Sequence, residues 1–154
     1  MNERERQKEA AAAQEAEYQE SARRLREFVS EATLSDDDLQ RIVRAAHRAS
    51  TAGPWPLIQE RTPSDALYIL LSGEAGVYVG HDRVAVVGPG EVIGESALRH
   101  GKLRNATVTT TGRAEVLRVA GDDLALLLNQ IPALHDIMAA TAARHTPGES
   151  VESS

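Results

Sequence analysis

The sequence predicts a mainly β protein, an antiparallel β jelly-roll barrel with α-helices at both ends. Between Trp55 and residue 120, short apolar runs are separated by glycine-containing turns, and none of the runs has the length of a helix. On both sides of this region, apolar residues recur at three- and four-residue steps, which is the spacing of one helix face. A chain of 154 residues suits one domain with an appended helix.

Two helices are predicted before the strands. Residues 1–33 contain neither Gly nor Pro and are rich in good helix formers, but an apolar stripe starts only at Tyr18. We therefore expect a helix over Gln14–Ala32 after a frayed or disordered start. A second helix, Ser35–Ser50, is predicted from the capping serine, the three aspartates after it and the Gly53-Pro54 stop.

The strands and the C-terminal helices follow from turn residues. The predicted strands are Leu57–Ile58, Leu67–Leu71, Ala75–Val79, Val84–Val87, Thr107–Thr111 and Ala114–Val119. A helix capped by Gly121 or Asp122 comes next, and a last helix runs from Pro132 to His145. The expected organisation is an N-terminal amphipathic helix (1–33), a domain (34–145) with its barrel at about 55–120, and a disordered tail (146–154).

Composition and charge exclude several classes of protein. The chain is 42% hydrophobic but only 3% aromatic, so its core must be aliphatic. A net charge of −6 argues against a nucleic-acid partner, which needs a basic surface. Without cysteine there is no disulfide, thiolate metal site or cysteine nucleophile. No apolar stretch approaches the ~18 residues of a membrane span, and the charged N-terminus lacks a signal core. We therefore expect a cytoplasmic protein that does not contact membranes.

The segment from Gly94 to Thr107 carries the strongest functional signal. It opens with a glycine and an acid, Glu95, before a short helix-capable stretch, and Arg104 follows within a run of small residues. A planar guanidinium can engage two oxygens of a phosphate, and a carboxylate can accept from a sugar hydroxyl. Backbone N–H groups at the helix start would add aligned donors near Ser96, Ala97 and Leu98. These groups together predict a site for a small cyclic phosphate ester.

The order of elements around this segment resembles the cyclic nucleotide-binding domain family, which includes catabolite activator regulators, the regulatory subunit of cAMP-dependent protein kinase and cyclic nucleotide-gated channels. The resemblance extends from Leu34 to Met138, and the spacing from Gly94 to Thr107 matches the kinase subunit without a gap. The matching runs are Leu67–Glu74, the glycine-rich approach Gly88–Glu95, the phosphate-cassette helix Leu98–Gly101, the arginine stretch Leu103–Thr107, and Ala114–Leu134.

The resemblance implies cAMP or cGMP as the ligand, with no other cofactor and no metal. Phosphate binding is expected from Arg104, Ser96, Ala97, Leu98 and Asn105, ribose binding from Glu95 and Gly94, and base or lid contacts from Thr107 and Met138. Two positions depart from the family pattern. Leu103 stands where proline is frequent before the arginine, and Asn105 is bulkier than the usual small or hydroxyl residue after it.

Two functions remain open from the sequence. The first is a stand-alone cyclic nucleotide sensor, with cAMP slightly favoured, because the short stretch after the last helix leaves no room for an output domain. Such a sensor would signal to an unidentified effector protein through helix rearrangement, and a homodimer is compatible with the same surfaces. The alternative is a degenerate, ligand-free domain that acts as a protein-interaction module through its amphipathic N-terminal helix.

Enzymatic functions are disfavoured. The five histidines are scattered and form no His-x-His or Glu-x-x-His pair, whereas a metal-dependent barrel enzyme would need such a cluster. No nucleophile with a neighbouring base can be identified. We therefore expect a binding protein and not an enzyme.

Overall fold

The computed structural model describes residues 2–63, 65–94 and 104–144. The chain divides into two units, Met1–Ala45 and Ala46–Ser154. The first unit contains helices α1 (Glu3–Arg26) and α2 (Asp36–Ala45). The second unit contains the strands and two C-terminal helices, α3 (Gly121–Gln130) and α4 (Ala133–Arg144). The predicted tail, 146–154, lies outside the described residues.

The strands of the second unit form two antiparallel four-stranded sheets. The strands are β1 (His47–Thr51), β2 (Pro56–Ile58), β3 (Ala66–Ser72), β4 (Ala75–Val79), β5 (Asp82–Val87), β6 (Val92–Ile93), β7 (Thr107–Thr110) and β8 (Ala114–Ala120). One sheet has the order β1-β8-β3-β6 and the other β2-β7-β4-β5. The predicted fold class, mainly antiparallel β with flanking helices, is confirmed. The pairings among the described strands give two sheets and not one closed barrel.

Helix α1 begins much earlier than the sequence pattern predicted. It starts at Glu3 rather than Gln14, and the side chain of Asn2 accepts a hydrogen bond from the Glu5 N–H at 2.8 Å. The first turns are fully exposed, so no packing holds them. A capping residue and a run of strong helix formers suffice to keep this polar segment helical.

Helix α2 has the predicted start but not the predicted end. Ser35 accepts from the Asp38 N–H at 3.1 Å and donates its own N–H to the Asp38 carboxylate at 3.2 Å, which caps the helix reciprocally. The helix ends at Ala45, whereas the prediction continued to Ser50. Residues His47–Thr51 instead pair along their whole length with β8. The extension was wrong because long-range pairing overrides local helix propensity.

An aliphatic cluster fills the space between the two sheets. Its buried members come from both sheets: Ile58, Leu70, Ala75, Val87, Ile93, Val108, Ala114 and Val116. Alternate residues of each strand point to the same face, so the even-numbered positions of β3 and β8 lie on the side of this cluster. The core therefore agrees with the aliphatic composition. Two members of the cluster, Ile93 and Val108, lie close in the chain to Gly94 and Arg104.

The C-terminal helices confirm the predicted apolar faces. Leu124 and Leu127 of α3 are buried, as are Leu134 and Met138 of α4. Helix α3 begins at Gly121 with Ala120 as its N-cap, one residue before the earlier of the two predicted caps. These helices follow β8 directly along the chain, so a change in the sheets can reach them through continuous backbone.

Candidate functional site

The backbone of Arg104 is clamped to the loop between β2 and β3. Its N–H donates to the Thr62 carbonyl at 2.8 Å, and its carbonyl accepts from the Arg61 N–H at 2.6 Å. Three residues further along, the Thr107 hydroxyl accepts from the Glu60 N–H at 3.0 Å. These bonds fix the point from which the Arg104 side chain projects.

The Arg104 guanidinium is buried and is held by backbone carbonyls. Arg104 is only 4% exposed. Its Nη1 donates to the Gly94 carbonyl at 2.7 Å, and its Nη2 donates to the Ala66 carbonyl. Within 2–63, 65–94 and 104–144, the other guanidinium N–H groups have no acceptor, and no carboxylate forms an ion pair with Arg104. Among the described residues, Arg104 therefore has donors beyond the two that bond to Gly94 and Ala66.

The electrostatics of the site also favour an anion. Burial lowers the pKa of Arg104 below its usual range, because desolvation disfavours the charged form, while the nearby Asp65 carboxylate acts in the opposite direction. Buried charges are normally paired, and carbonyl dipoles compensate a cation only in part. An anionic ligand would supply the missing charge through charge-assisted hydrogen bonds.

Gly94 lies against Arg104 in a conformation that favours glycine. Its φ is +86°, and a Cβ atom there would lie 2.5 Å from Arg104 Nη1 and 2.7 Å from Ile58 Cδ1. The family resemblance implied a ribose contact for this glycine. The structure adds a reason within the protein itself, since any side chain at this position would displace the guanidinium.

The structure brings together only part of the predicted site. Gly94 and Arg104 are in direct contact, Asn105 is exposed beside them, and Thr107 is half-buried at the start of β7. Met138 on α4 is 1% exposed. The remaining predicted site residues, Glu95, Ser96, Ala97 and Leu98, lie outside the described residues. The individual ligand-binding roles of all nine residues stay predictions.

Sequence reasoning missed the acceptors around Arg104. Ala66 and Thr62 contribute only backbone carbonyls, and because every residue type has one, the side-chain sequence does not indicate which residues accept from Arg104. Arg61 is the only non-glycine residue with positive φ, 69°, in the described part of the chain. It holds this conformation while its N–H bonds to Arg104.

Replacing Arg61 with glycine is expected to stabilise the protein. An L-residue in the left-handed region costs about 1–2 kcal/mol, and glycine avoids this cost at the expense of about 0.5–1 kcal/mol of unfolded-chain entropy. We expect Arg61→Gly to raise the free energy of unfolding by about 0.5–1 kcal/mol in urea denaturation. Arg113→Gly is the matched control, because Arg113 is also exposed but has no positive φ. A loss of stability in Arg61→Gly equal to that of Arg113→Gly would contradict the prediction.

The described residues contain neither a candidate metal site nor a candidate membrane span. No group of three or more His, Cys, Asp or Glu side chains among them could hold a metal ion. Within the same residues, no helix is both long and apolar enough to cross a membrane.

Residues 56–131 match the model of the cyclic nucleotide-binding domain family. The chain belongs to this family, whose domains are typically regulatory modules without catalytic activity. The matched segment includes Gly94, Arg104 and all strands from β2 to β8.

Three of the known proteins that are similar to this chain differ in how much of it they cover. A 54-residue stretch is 39% identical to a cGMP-dependent protein kinase of Toxoplasma gondii, covering 35% of this chain and 5% of the kinase. The regulatory domain of Toxoplasma gondii PKA, in complex with cAMP, superposes with a TM-score of 0.60 at 28% identity, covering 84% of this chain and 48% of that one. The cAMP-bound PfPKA-R (141–441) superposes with a TM-score of 0.74 at 18% identity, covering 87% and 46%. The chain thus spans less than half the length of each.

Proposed function

We propose that this protein is a sensor of a cyclic purine nucleotide and has no catalytic activity of its own. The observation that carries the proposal is Arg104, which is 4% exposed and keeps unused donors without a carboxylate partner among the described residues. A cyclic phosphate carries one delocalised negative charge, and a guanidinium can bind two of its oxygens at once. The phosphate of the ligand would therefore be the ion-pair partner that Arg104 lacks among the described residues.

The preferred ligand is cAMP. Two of the similar structures contain cAMP, and one of them is 28% identical to this chain. The similar kinase is cGMP-dependent, so cGMP is the competing ligand. Glu95 would accept from the ribose 2′-hydroxyl, and backbone N–H groups of Ser96, Ala97 and Leu98 would join Arg104 at the phosphate.

The output of the sensor would be a change in its helices. Arg104 bonds to the Gly94 carbonyl and to Ala66, the first residue of β3. A phosphate that draws the guanidinium toward itself would weaken these two bonds and so alter the positions of both segments. We propose that an effector protein reads the resulting redistribution between helix arrangements. A difference in amide hydrogen exchange of the helices with and without nucleotide would measure it.

Isothermal titration with cAMP and with cGMP tests the proposal. Saturable one-site binding by the wild type supports it, and the two affinities rank the bases. No heat with either nucleotide from a folded protein would refute it. Circular dichroism and thermal denaturation of the same sample establish that the protein is folded.

A second candidate function is a ligand-free interaction module. The bonds of Arg104 to Gly94 and Ala66 favour it, because they show that part of the guanidinium is satisfied within the protein. This candidate predicts no nucleotide binding and a partner that binds the wild type and Arg104→Ala equally well. It becomes the better account if both titrations show no binding.

A further inference from the structure

A cavity lies in the Ala46–Ser154 unit, apart from the residues around Arg104. Its volume is about 590 Å³, and its walls come from β1, the β1–β2 loop, the start of β2, and side chains of β3 and β8. Neither Gly94 nor Arg104 lines it. Pockets that hold small molecules commonly measure about 300–1,000 Å³, so this cavity has a suitable size.

An exposed tryptophan forms part of the cavity wall. Trp55 is 62% exposed. It lies between two prolines, Pro54 and Pro56, which restrict the local backbone. Trp55 is the only tryptophan of the chain. An indole that the fold leaves accessible on a stiff segment offers a large flat surface for an aromatic ring at a small entropic cost.

Two threonine hydroxyls hold the loop that carries Trp55. Thr110 is 1% exposed, and its hydroxyl accepts from the Trp55 N–H at 2.8 Å, while its own N–H donates to the Trp55 carbonyl at 2.9 Å. At the other end of the loop, the Thr51 hydroxyl accepts from the Ala114 N–H at 3.1 Å and donates to the Gly112 carbonyl at 3.2 Å. The wall is therefore formed before any ligand arrives, which reduces the cost of binding.

An arginine side chain lines the cavity. Arg118 of β8 lines it together with Tyr68 and Leu57. One guanidinium nitrogen of Arg118 bonds to the Asp65 carboxylate at 3.2 Å, and both side chains are partly exposed to solvent. Such an exposed single contact contributes little stability and is easily exchanged. The Arg118 guanidinium can therefore exchange Asp65 for an anionic group that enters the cavity, or bind both at once.

We propose that this cavity binds a small aromatic anion. The aromatic ring would lie against Trp55 and the apolar wall at Leu57, and its carboxylate, sulfonate or phosphate group would bond to Arg118. An aromatic ring matches the indole and the aliphatic wall, and the anionic group matches the single cation. The site is distinct from the one at Arg104 and does not depend on the proposed nucleotide binding.

Quenching of Trp55 fluorescence tests the proposal with two dyes that differ by one anionic group. The anionic probe is 8-anilinonaphthalene-1-sulfonate, and the neutral probe is N-phenyl-1-naphthylamine. Arg118→Gln removes the cation, whereas Asp65→Asn breaks the same ion pair but keeps the cation. Arg113→Gln is the control for loss of an exposed arginine elsewhere. Because Trp55 is the only tryptophan, its quenching reports binding of a probe, and the variants at Arg118 and Ala49 test whether the bound probe lies in the cavity.

We expect one-site quenching by the anionic probe that Arg118→Gln weakens by about tenfold or more, since hydrogen bonds to a charged group are strong. Asp65→Asn and Arg113→Gln should bind as tightly as the wild type or, for Asp65→Asn, more tightly. The neutral probe should bind all four proteins alike. Equal affinity of Arg118→Gln and wild type for the anionic probe would overturn the proposal, as would saturation without quenching. Ala49→Phe, which fills the cavity but keeps Arg118, should abolish the quenching; unchanged quenching would also overturn it.

Discussion

Replacing Arg104 with alanine is expected to reduce the affinity for cAMP by about 100-fold or more. Two charge-assisted hydrogen bonds from the guanidinium to the phosphate, each contributing about 1.5–3 kcal/mol, are lost together. At about 1.4 kcal/mol for each factor of ten, this gives a loss of two or more orders of magnitude. Isothermal titration of the wild type and the variant measures the difference.

Two further variants separate the role of Arg104 in binding from its role in folding. Arg104→Lys keeps the charge but loses the planar fork, so its affinity should lie between those of the wild type and the alanine variant. Arg113→Ala removes an exposed arginine and should bind as the wild type does. Arg104→Ala also leaves the Gly94 and Ala66 carbonyls without a donor, so each variant must be shown to be folded by its denaturation midpoint. Wild-type affinity in folded Arg104→Ala would exclude Arg104 from the phosphate site.

The second large effect is expected from Gly94→Ala. The new Cβ would be strained by the φ of +86° and would lie 2.5 Å from Arg104 Nη1 and 2.7 Å from Ile58 Cδ1. Left-handed strain and overpacking each cost about 1–3 kcal/mol, so the free energy of unfolding should fall by about 2–6 kcal/mol. Urea denaturation measures this loss. Nucleotide affinity should fall as well, because the methyl group displaces the guanidinium.

Gly80→Ala isolates the contribution of backbone strain. Gly80 also has a positive φ, 62°, but a Cβ there would meet no atom within 4 Å. We expect this control to lose only about 1–2 kcal/mol and to keep its nucleotide affinity. If Gly94→Ala and Gly80→Ala lose the same stability and bind equally well, the contact between Gly94 and Arg104 has no functional importance.

Most of the fold could be predicted from the sequence because its signals are local. Alternating apolar residues and turn glycines located the strands between Leu57 and Val119 except β6, and a capping serine followed by three aspartates located the start of α2. The segment around Gly94 and Arg104 could be predicted for the same reason, since a glycine, an acid and an arginine at fixed spacing form a continuous stretch of chain. Composition alone predicted an aliphatic core, and the buried cluster between the sheets is aliphatic apart from half-buried Tyr68.

Other features depend on residues far apart in the chain. Residues His47–Thr51 continue a helix-like pattern, and only pairing with β8, more than sixty positions away, makes them a strand. The contacts of Arg104 with Ala66 and Thr62 use backbone carbonyls, which every residue type possesses. The cavity beside Trp55 likewise requires Arg118 to arrive from another strand. The sequence by itself located most of the elements and the segment that contains Gly94 and Arg104, because propensity and spacing act locally. Tertiary structure decided which carbonyls bond to Arg104 and where the cavity beside Trp55 forms, because long-range packing brings those groups together.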